Sequence, residues 1–266
     1  MAEVGEYIDS VLPQLIHGRL DPTRFRPWLS GLASQCAVCR SWPSHQVCQA
    51  CVSRFSVALT RCSICALALP ADLSMGLRTG PAICARCVRQ RPPLDGALAA
   101  VPYAFPWSTL IAHYKFGEQP AWAKFFAGLL LDAPGVRPAF ADLEERDWVI
   151  PLPLSVARLQ ARGFNQAWEL ARALVRQSGT RARTDAGLLL RVRDTRPQTQ
   201  LKREARLANV RGAFLPDPLR AAELQGRRVL LIDDVMTSGA SMYSAAQALR
   251  DGGAAHVTAV VLARTQ

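Results

Sequence analysis

A chain of 266 residues, half of them hydrophobic and a fifth charged, has the length of one large domain or of a domain with a small module. Its composition suits a packed globule and excludes a wholly disordered, collagen-like or coiled-coil chain. The net charge is +11, and between Pro151 and Ala213 there are 13 Lys or Arg against 4 Asp or Glu, a concentration that suits an anionic partner, phosphate or nucleic acid, although an Arg-rich codon bias would also produce it.

At the N-terminus Glu3, Glu6 and Asp9 precede any apolar run, which does not fit a secretory leader, and no apolar run reaches the roughly 18 residues of a membrane helix. The protein is therefore expected to be cytoplasmic, without membrane insertion. Val11, Leu12, Leu15 and Ile16 fit one apolar helical face and Phe25, Trp28, Leu29 and Leu32 another, so residues 1–35 read as a helical extension.

All eight cysteines follow, as four CxxC pairs: Cys36/Cys39, Cys48/Cys51, Cys62/Cys65 and Cys84/Cys87, separated by 8, 10 and 18 residues. A disulfide framework would need an oxidising compartment, and a thioredoxin-like motif needs only one pair. The two-residue spacer lets both thiolates of a pair face one ion, so two pairs complete a tetrahedral site with bonds of about 2.3 Å. The pattern predicts two structural Zn²⁺ sites in a module spanning residues 36–92. Sequential pairing of the CxxC motifs is the simplest, interleaved pairing remains open, and iron–sulfur ligation is the alternative chemistry.

After Arg91-Pro92-Pro93, residues 93–266 alternate between strand-like and helix-like segments. Strands are predicted at Ala97–Phe105, Trp148–Leu152, Leu188–Val192, Val229–Ile232 and Val257–Leu262. Helices are predicted at Trp107–Phe116, Ala121–Leu131, Asn165–Arg176 and Ser241–Arg250. Apolar strands alternating with helices argue for a mostly parallel sheet covered on both faces, an α/β fold.

The segment from Val229 to Ser241 carries the clearest chemistry. An apolar strand ends in Asp233 and Asp234; Val235, Met236, Thr237, Ser238, Gly239 and Ala240 lead to a helix at Ser241. Ligands of parallel sheets bind at the carboxyl ends of the strands, and a helix N-terminus offers N–H groups and positive potential to a phosphate. Thr237, Ser238 and Ser241 add hydroxyl donors, and adjacent carboxylates can accept from a ribose diol. A receiver domain places its acidic pair near its start, whereas only 32 residues follow Asp234. A Walker B strand needs a phosphate loop with Gly-Lys, a dipeptide the chain lacks. An ordinary strand–turn–helix capped by Ser241 would explain one Asp and one Ser, but not the whole run.

This run resembles the phosphoribosyl pyrophosphate (PRPP) motif of type I phosphoribosyltransferases. With the four CxxC pairs ahead of it, the chain from about Cys36 onward resembles the ComF family of competence-associated, phosphoribosyltransferase-like proteins (ComFC- and GntX-like). Leu110–Phe116, Pro151–Leu154 leading to Arg162–Gln166, and Thr195–Leu201 followed by Arg206 and Asn209 also fit that family. The resemblance implies a type I phosphoribosyltransferase fold behind a double zinc ribbon. It implies that Asp233 and Asp234 bind the ribose hydroxyls of PRPP as the catalytic pair, and that Thr237–Ser241 cradle the 5′-phosphate. Arg158 and Arg162 would face the pyrophosphate with Mg²⁺. A mobile flap from Arg193 to Arg211, with Thr195, Gln198, Gln200, Arg203 and Arg206, would cover the site. For His113 and Lys115 a helix-surface position is expected, with reach into the site as the alternative, and Asn165 is expected to cap a helix.

Two functions follow from the resemblance. One is transfer of a phosphoribosyl group from PRPP, or from another ribose phosphate, to an acceptor the sequence does not identify. The other is a non-catalytic component of DNA uptake that binds single-stranded DNA, with PRPP as a signal and other uptake proteins as partners.

Overall fold

A computed structural model describes residues 34–42, 44–70, 80–117, 119–193 and 212–266. They belong to two compact units, one ending at Ser56 and the other running from Val57 to Gln266. The division falls between the two cysteine groups, not at residues 92–93 where the composition changes. The expected helical extension, residues 1–35, lies almost wholly outside the described residues.

In the first unit an isolated bridge between Ser34 and Ser44 closes the loop around Cys36 and Cys39. Helix α1 (Gln49–Phe55) starts directly after Cys48, whose sulfur accepts the Cys51 N–H.

The second unit opens with a bridge between Arg61 and Ala68 and the short helix α2 (Ala85–Arg89). There follow β1 (Gly96–Pro102), α3 (Trp107–Phe116), α4 (Trp122–Leu131), α5 (Val136–Ala141), β2 (Trp148–Pro151), α6 (Val156–Arg162) and α7 (Gln166–Ser178). The chain continues through β3 (Arg183–Thr184), β4 (Leu189–Arg191), β5 (Phe214–Pro216), a 3₁₀ turn at Ala221–Leu224, β6 (Arg228–Met236), α8 (Ala240–Asp251) and β7 (His256–Arg264). Five strands form one parallel sheet in the order β1-β7-β6-β2-β3, and β4 and β5 pair antiparallel beside it.

Successive strand residues face opposite sides of a sheet, so each strand feeds two apolar layers. Ala97, Ala99, Val229, Leu231, Ala259 and Val261 share one core with Ala245, Ala246 and Leu249 of α8 and with all four cysteines of the second group. On the alternate positions Leu230, Ile232, Val260 and Leu262 are buried as well, and α4 and α7 pack on β1, β2, β6 and β7. The second cysteine group is thus part of the main core. Its backbone also reaches the outer edge of the sheet, where the Ala97 N–H donates to the Ser63 carbonyl at 2.9 Å.

The strand expected at Val229–Ile232 runs on to Met236. Strand β7 continues beside it and keeps the ladder closed, with Asp233 opposite Val261 and Val235 opposite Ala263. The two carboxylates therefore sit within the last rungs of the ladder. At the other edge the expected strand Ala97–Phe105 stops at Pro102. The short elements α5, α6, β3 and β5 have too few residues for a period to show.

Leu170, fully buried on α7 between the sheet and α4, tests this packing. Leu170→Ala is expected to cost about 2–5 kcal/mol in chemical denaturation; a loss below ~1 kcal/mol would contradict the seating of α7 on the sheet.

Candidate functional site

The carboxyl ends of β2 and β6 and the start of α8 enclose a cavity of about 400 Å³. One wall is Asp233–Thr237 with Gly239–Met242. A second is Leu152–Leu154 with Arg158 and Arg162, and Tyr103, Lys115, Gln166 and Arg191 complete it.

The acidic pair divides between the two faces of the sheet. Asp234 points toward α3, is 2% exposed, and has Lys115 Nζ 2.9 Å from its Oδ2. Lys115 is therefore a site residue and not, as expected, a helix-surface one; His113, two residues earlier, is exposed. Burial alone would push the Lys115 ammonium toward its neutral form, but the Asp234 and Asp233 carboxylates outweigh this and hold its pKa above the usual lysine range. Asp233 accepts the Asp234 N–H at 2.8 Å through its own Oδ1. Burial, and then the neighbouring Asp234 charge, push the Asp233 carboxyl well above the ordinary carboxylate range, against the pull of Lys115.

The loop that follows is shaped by one glycine. Gly239 has φ +84° and sits at the N-cap of α8, and a Cβ there would lie 2.5 Å from the Tyr243 ring. Both facts demand glycine. The helix starts at Ala240, so Ser241 is not its cap; Ser238 Oγ instead accepts the Ala240 N–H at 3.3 Å. Of the predicted run from Asp233 to Ser241, every residue except Ser238 lines the cavity. Beneath the loop the buried Arg264 donates from Nη1 to the carbonyls of Met236 (3.0 Å) and Thr237, and from Nε to the Cys65 carbonyl at 3.0 Å.

The basic wall comes from α6 and the turn after it. Arg162 donates to Gln166 Oε1 and lies 5.1 Å from the centre of the Phe116 ring. Asn165 caps α7 as expected, accepting the Ala167 N–H at 3.0 Å, and its Nδ2 donates to the Leu152 carbonyl at 3.3 Å. Tyr114 Oη donates to the Gln166 carbonyl at 2.6 Å, which joins α3 to the start of α7 and orients the helix that carries Lys115. The flap residues Thr195, Gln198, Gln200, Arg203 and Arg206 lie outside the described residues. Tyr103, Gln166 and Arg191 join the cavity with no expectation placing them there, and Lys115 takes the alternative position within the site.

The cysteines resolve into two sequential groups of four, Cys36/Cys39/Cys48/Cys51 and Cys62/Cys65/Cys84/Cys87, with all sulfurs of a group within 4.8 Å of one another. The Cys39–Cys48 and Cys65–Cys84 sulfurs lie 3.6 and 3.7 Å apart. A tetrahedron with metal–sulfur bonds of about 2.3 Å has edges of about 3.8 Å, so both groups fit a zinc ion. In each, the residue after the first CxxC takes a left-handed conformation, Arg40 at φ 64° and Ala66 at φ 55°, and its N–H returns to the carbonyl of the first cysteine. Backbone N–H groups also point at the sulfurs: Val38 and Cys48 at Cys36, and Cys84 at Cys62. Burial raises the Cys36 thiol, but these donors outweigh it and bring its pKa down to about 6. For Cys62 the Cys65 side chain and the N–H donors lower it to about 4.

The groups differ in access: Cys39 is exposed and Cys48 half-buried, whereas all four cysteines of the second group are buried. Elemental analysis is expected to give two zinc ions per chain, and a chromophoric chelator should remove them in two phases, the first group faster. One ion, iron in place of zinc, or a single phase would contradict this assignment.

The phosphoribosyl transferase domain family matches residues 162–266. DNA utilization protein YhgH of Salmonella typhi is 32% identical over 210 residues, covering 77% of this chain and 90% of its own. Competence protein F of Haemophilus influenzae is 31% identical over 181 residues, 68% of this chain and 78% of its own. Competence protein ComFC of Bacillus subtilis is 34% identical over 118 residues, 44% of each chain. The cavity loop lies inside the transferase match, the paired cysteines stand ahead of it, and the similarity extends across three quarters of the sequence: the chain belongs to the ComF family.

Proposed function

We propose that this protein binds PRPP, or a closely related ribose phosphate, as its Mg²⁺ complex in the cavity between β2, β6 and α8, and transfers the phosphoribosyl group to an acceptor. The observation that carries the reading is the joining, in one cavity, of a largely buried carboxylate pair, a glycine-opened helix N-terminus and an arginine wall. Its competence and DNA-utilization relatives suggest that the activity serves the handling of incoming DNA.

In this reading Asp233 and Asp234 accept hydrogen bonds from the ribose hydroxyls, and Lys115, paired with Asp234, fixes that carboxylate in place. The loop from Thr237 to Ser241 binds the 5′-phosphate through N–H groups, hydroxyls and the field of the α8 N-terminus. Arg158 and Arg162 face the pyrophosphate. When bound with the substrate, Mg²⁺ neutralises charge on the leaving group. The bond from the anomeric carbon to the pyrophosphate oxygen breaks, pyrophosphate departs with the electron pair, and the acceptor forms the new bond at that carbon. Positive charge on the ribose ring in the transition state is offset by the two carboxylates. No protein nucleophile is needed. The cysteines serve as ligands of two structural zinc ions.

Calorimetric titration of PRPP with Mg²⁺ is expected to show micromolar binding. Asp233→Asn and Lys115→Met should each weaken it at least tenfold, or about 1.4 kcal/mol. Gly239→Ala should abolish it, because a methyl group collides with Tyr243. Unchanged affinity in all three would remove the site from this cavity.

Because the Asp233 carboxyl is raised, it takes up a proton nearer neutrality than an ordinary carboxyl and then no longer accepts on both oxygens. PRPP affinity should therefore fall as the pH drops from neutral into the mildly acidic range, and Asp233→Asn should flatten that profile.

The excess of 13 Lys or Arg over 4 Asp or Glu between Pro151 and Ala213 favours a second reading, binding of single-stranded DNA by the basic wall. Contacts to six or more phosphates predict a loss of about 10³-fold or more between 50 and 200 mM salt. An affinity that barely moves with salt would exclude it.

A further inference from the structure

The second cysteine group and the phosphate loop share one buried cation. Arg264 ends β7 and is 3% exposed. Its Nε donates to the Cys65 carbonyl, and its Nη1 to the carbonyls of Met236, Thr237 and Thr265 and to Thr265 Oγ1. In a trans peptide the N–H points opposite to the C=O. With the Met236 and Thr237 carbonyls held on the Arg264 side, the N–H groups of Thr237 and Ser238 are turned away from the guanidinium.

A second arginine lies in the same region. Arg61 Nη1 donates to the Ala66 carbonyl at 3.0 Å, next to the Cys65 carbonyl that Arg264 holds, and Arg61 Nη2 is buried without a partner. Among the described residues neither guanidinium has a carboxylate within ion-pair distance. A buried cation without a counter-charge is costly. Four thiolates around one divalent ion carry a net formal charge of about −2, and residues around a metal site tune its stability. Cys62, Cys65, Cys84 and Cys87, once loaded, supply the missing negative charge. A second strut runs in parallel: Arg86, beside Cys87, stacks 6.0 Å from the Tyr243 ring, and Gly239 packs against that ring.

We propose that Arg264, with Arg61, is the counter-charge of the metal-loaded second cysteine group and positions the phosphate loop from it, so that metal loading of that group and anion binding in the cavity stabilise each other. The proposal rests on zinc in the second group and on the loop being a phosphate site. Arg264 is a positioning residue: it acts through the backbone of Met236 and Thr237 and lines no part of the cavity. Linkage requires the coupling to be reciprocal. Bound phosphate raises the zinc affinity of the second group, and zinc loss weakens phosphate affinity by the same factor; slower zinc release is the kinetic sign of the first effect.

The experiment uses the full chain and ribose 5-phosphate as probe. Zinc release to a chromophoric chelator is followed with and without saturating ribose 5-phosphate, and binding of the probe is measured separately by calorimetry. The slow phase should lengthen at least threefold with the probe and the fast phase should not. Arg264→Met should release its slow-phase zinc at least threefold faster, lose the protection, and bind the probe at least tenfold more weakly. Arg264→Lys should not restore either property, since one ammonium cannot reach both loop carbonyls and the Cys65 carbonyl. Protein stripped to one zinc ion per chain, with the more exposed first group empty, should keep the probe, whereas protein stripped of both ions should lose it and regain it on addition of zinc, a readout that needs no variant to fold. If wild type binds the probe and both phases stay unchanged, the coupling is overturned and the phosphate site stands. If wild type does not bind the probe, the phosphate reading fails. The counter-charge role is then decided by Arg264→Met alone, and unchanged zinc release overturns it.

Discussion

A carboxylate almost sealed from water at the end of a central strand persists only with a cation in reach, and Asp234 depends on Lys115 for this. The demand propagates. Lys115 must come from α3, so α3 must lie over the end of β6, and the Tyr114 hydroxyl fixes that position by bonding to the first turn of α7. The adjacent Asp233 points the other way, and burial, then the charge of Asp234, push its carboxyl well above the ordinary carboxylate range. One ion pair thereby gives two neighbouring, chemically similar residues different surroundings within one cavity.

The two cysteine groups have nearly the same local form and different settings. Each is a pair of knuckles with a left-handed residue after the first CxxC. The first belongs to a unit ending at Ser56 and leaves Cys39 in solvent. The second shares its core with α8, β1, β6 and β7, and its backbone carbonyls are acceptors for the buried Arg264 and the half-buried Arg61. Composition places both in one module because every cysteine lies there. Packing separates them: the second group shares a core with the sheet and with a face of α8 that includes the small residues Ala245 and Ala246.

Much of the sheet was legible because its strands are apolar runs bounded by breakers, and β6 and β7 were recognised by that rule alone. The loop from Asp233 to Ser241 was legible because its residue types serve one chemistry at one place in the fold. Lys115 was less visible, yet it lies four residues after Ile111, on the flank of the buried face formed by Trp107, Leu110, Ile111 and Tyr114. A helical projection carrying that face to its edge would have brought it into view. Arg191 and Arg264 gave no such signal, since each reads as an arginine at the end of a strand and gains its role from segments far away in sequence. The grouping of the CxxC pairs was open for the same reason: spacing permits both arrangements, and long-range contacts with the sheet select one.

The hydrogen bond from Ala97 to the Ser63 carbonyl bears on how the sheet avoids its own kind. A parallel sheet has two rims, and an unpaired rim is a template for another chain. Strand β3, with two residues, is too short to act as one. Strand β1 is seven residues of Gly, Ala, Leu, Val and Pro with no charge, and the cysteine ribbon lies against its free side. The ribbon is therefore an edge guard, and a chain in which it comes loose presents a bare, uncharged strand to intermolecular β-pairing and aggregation.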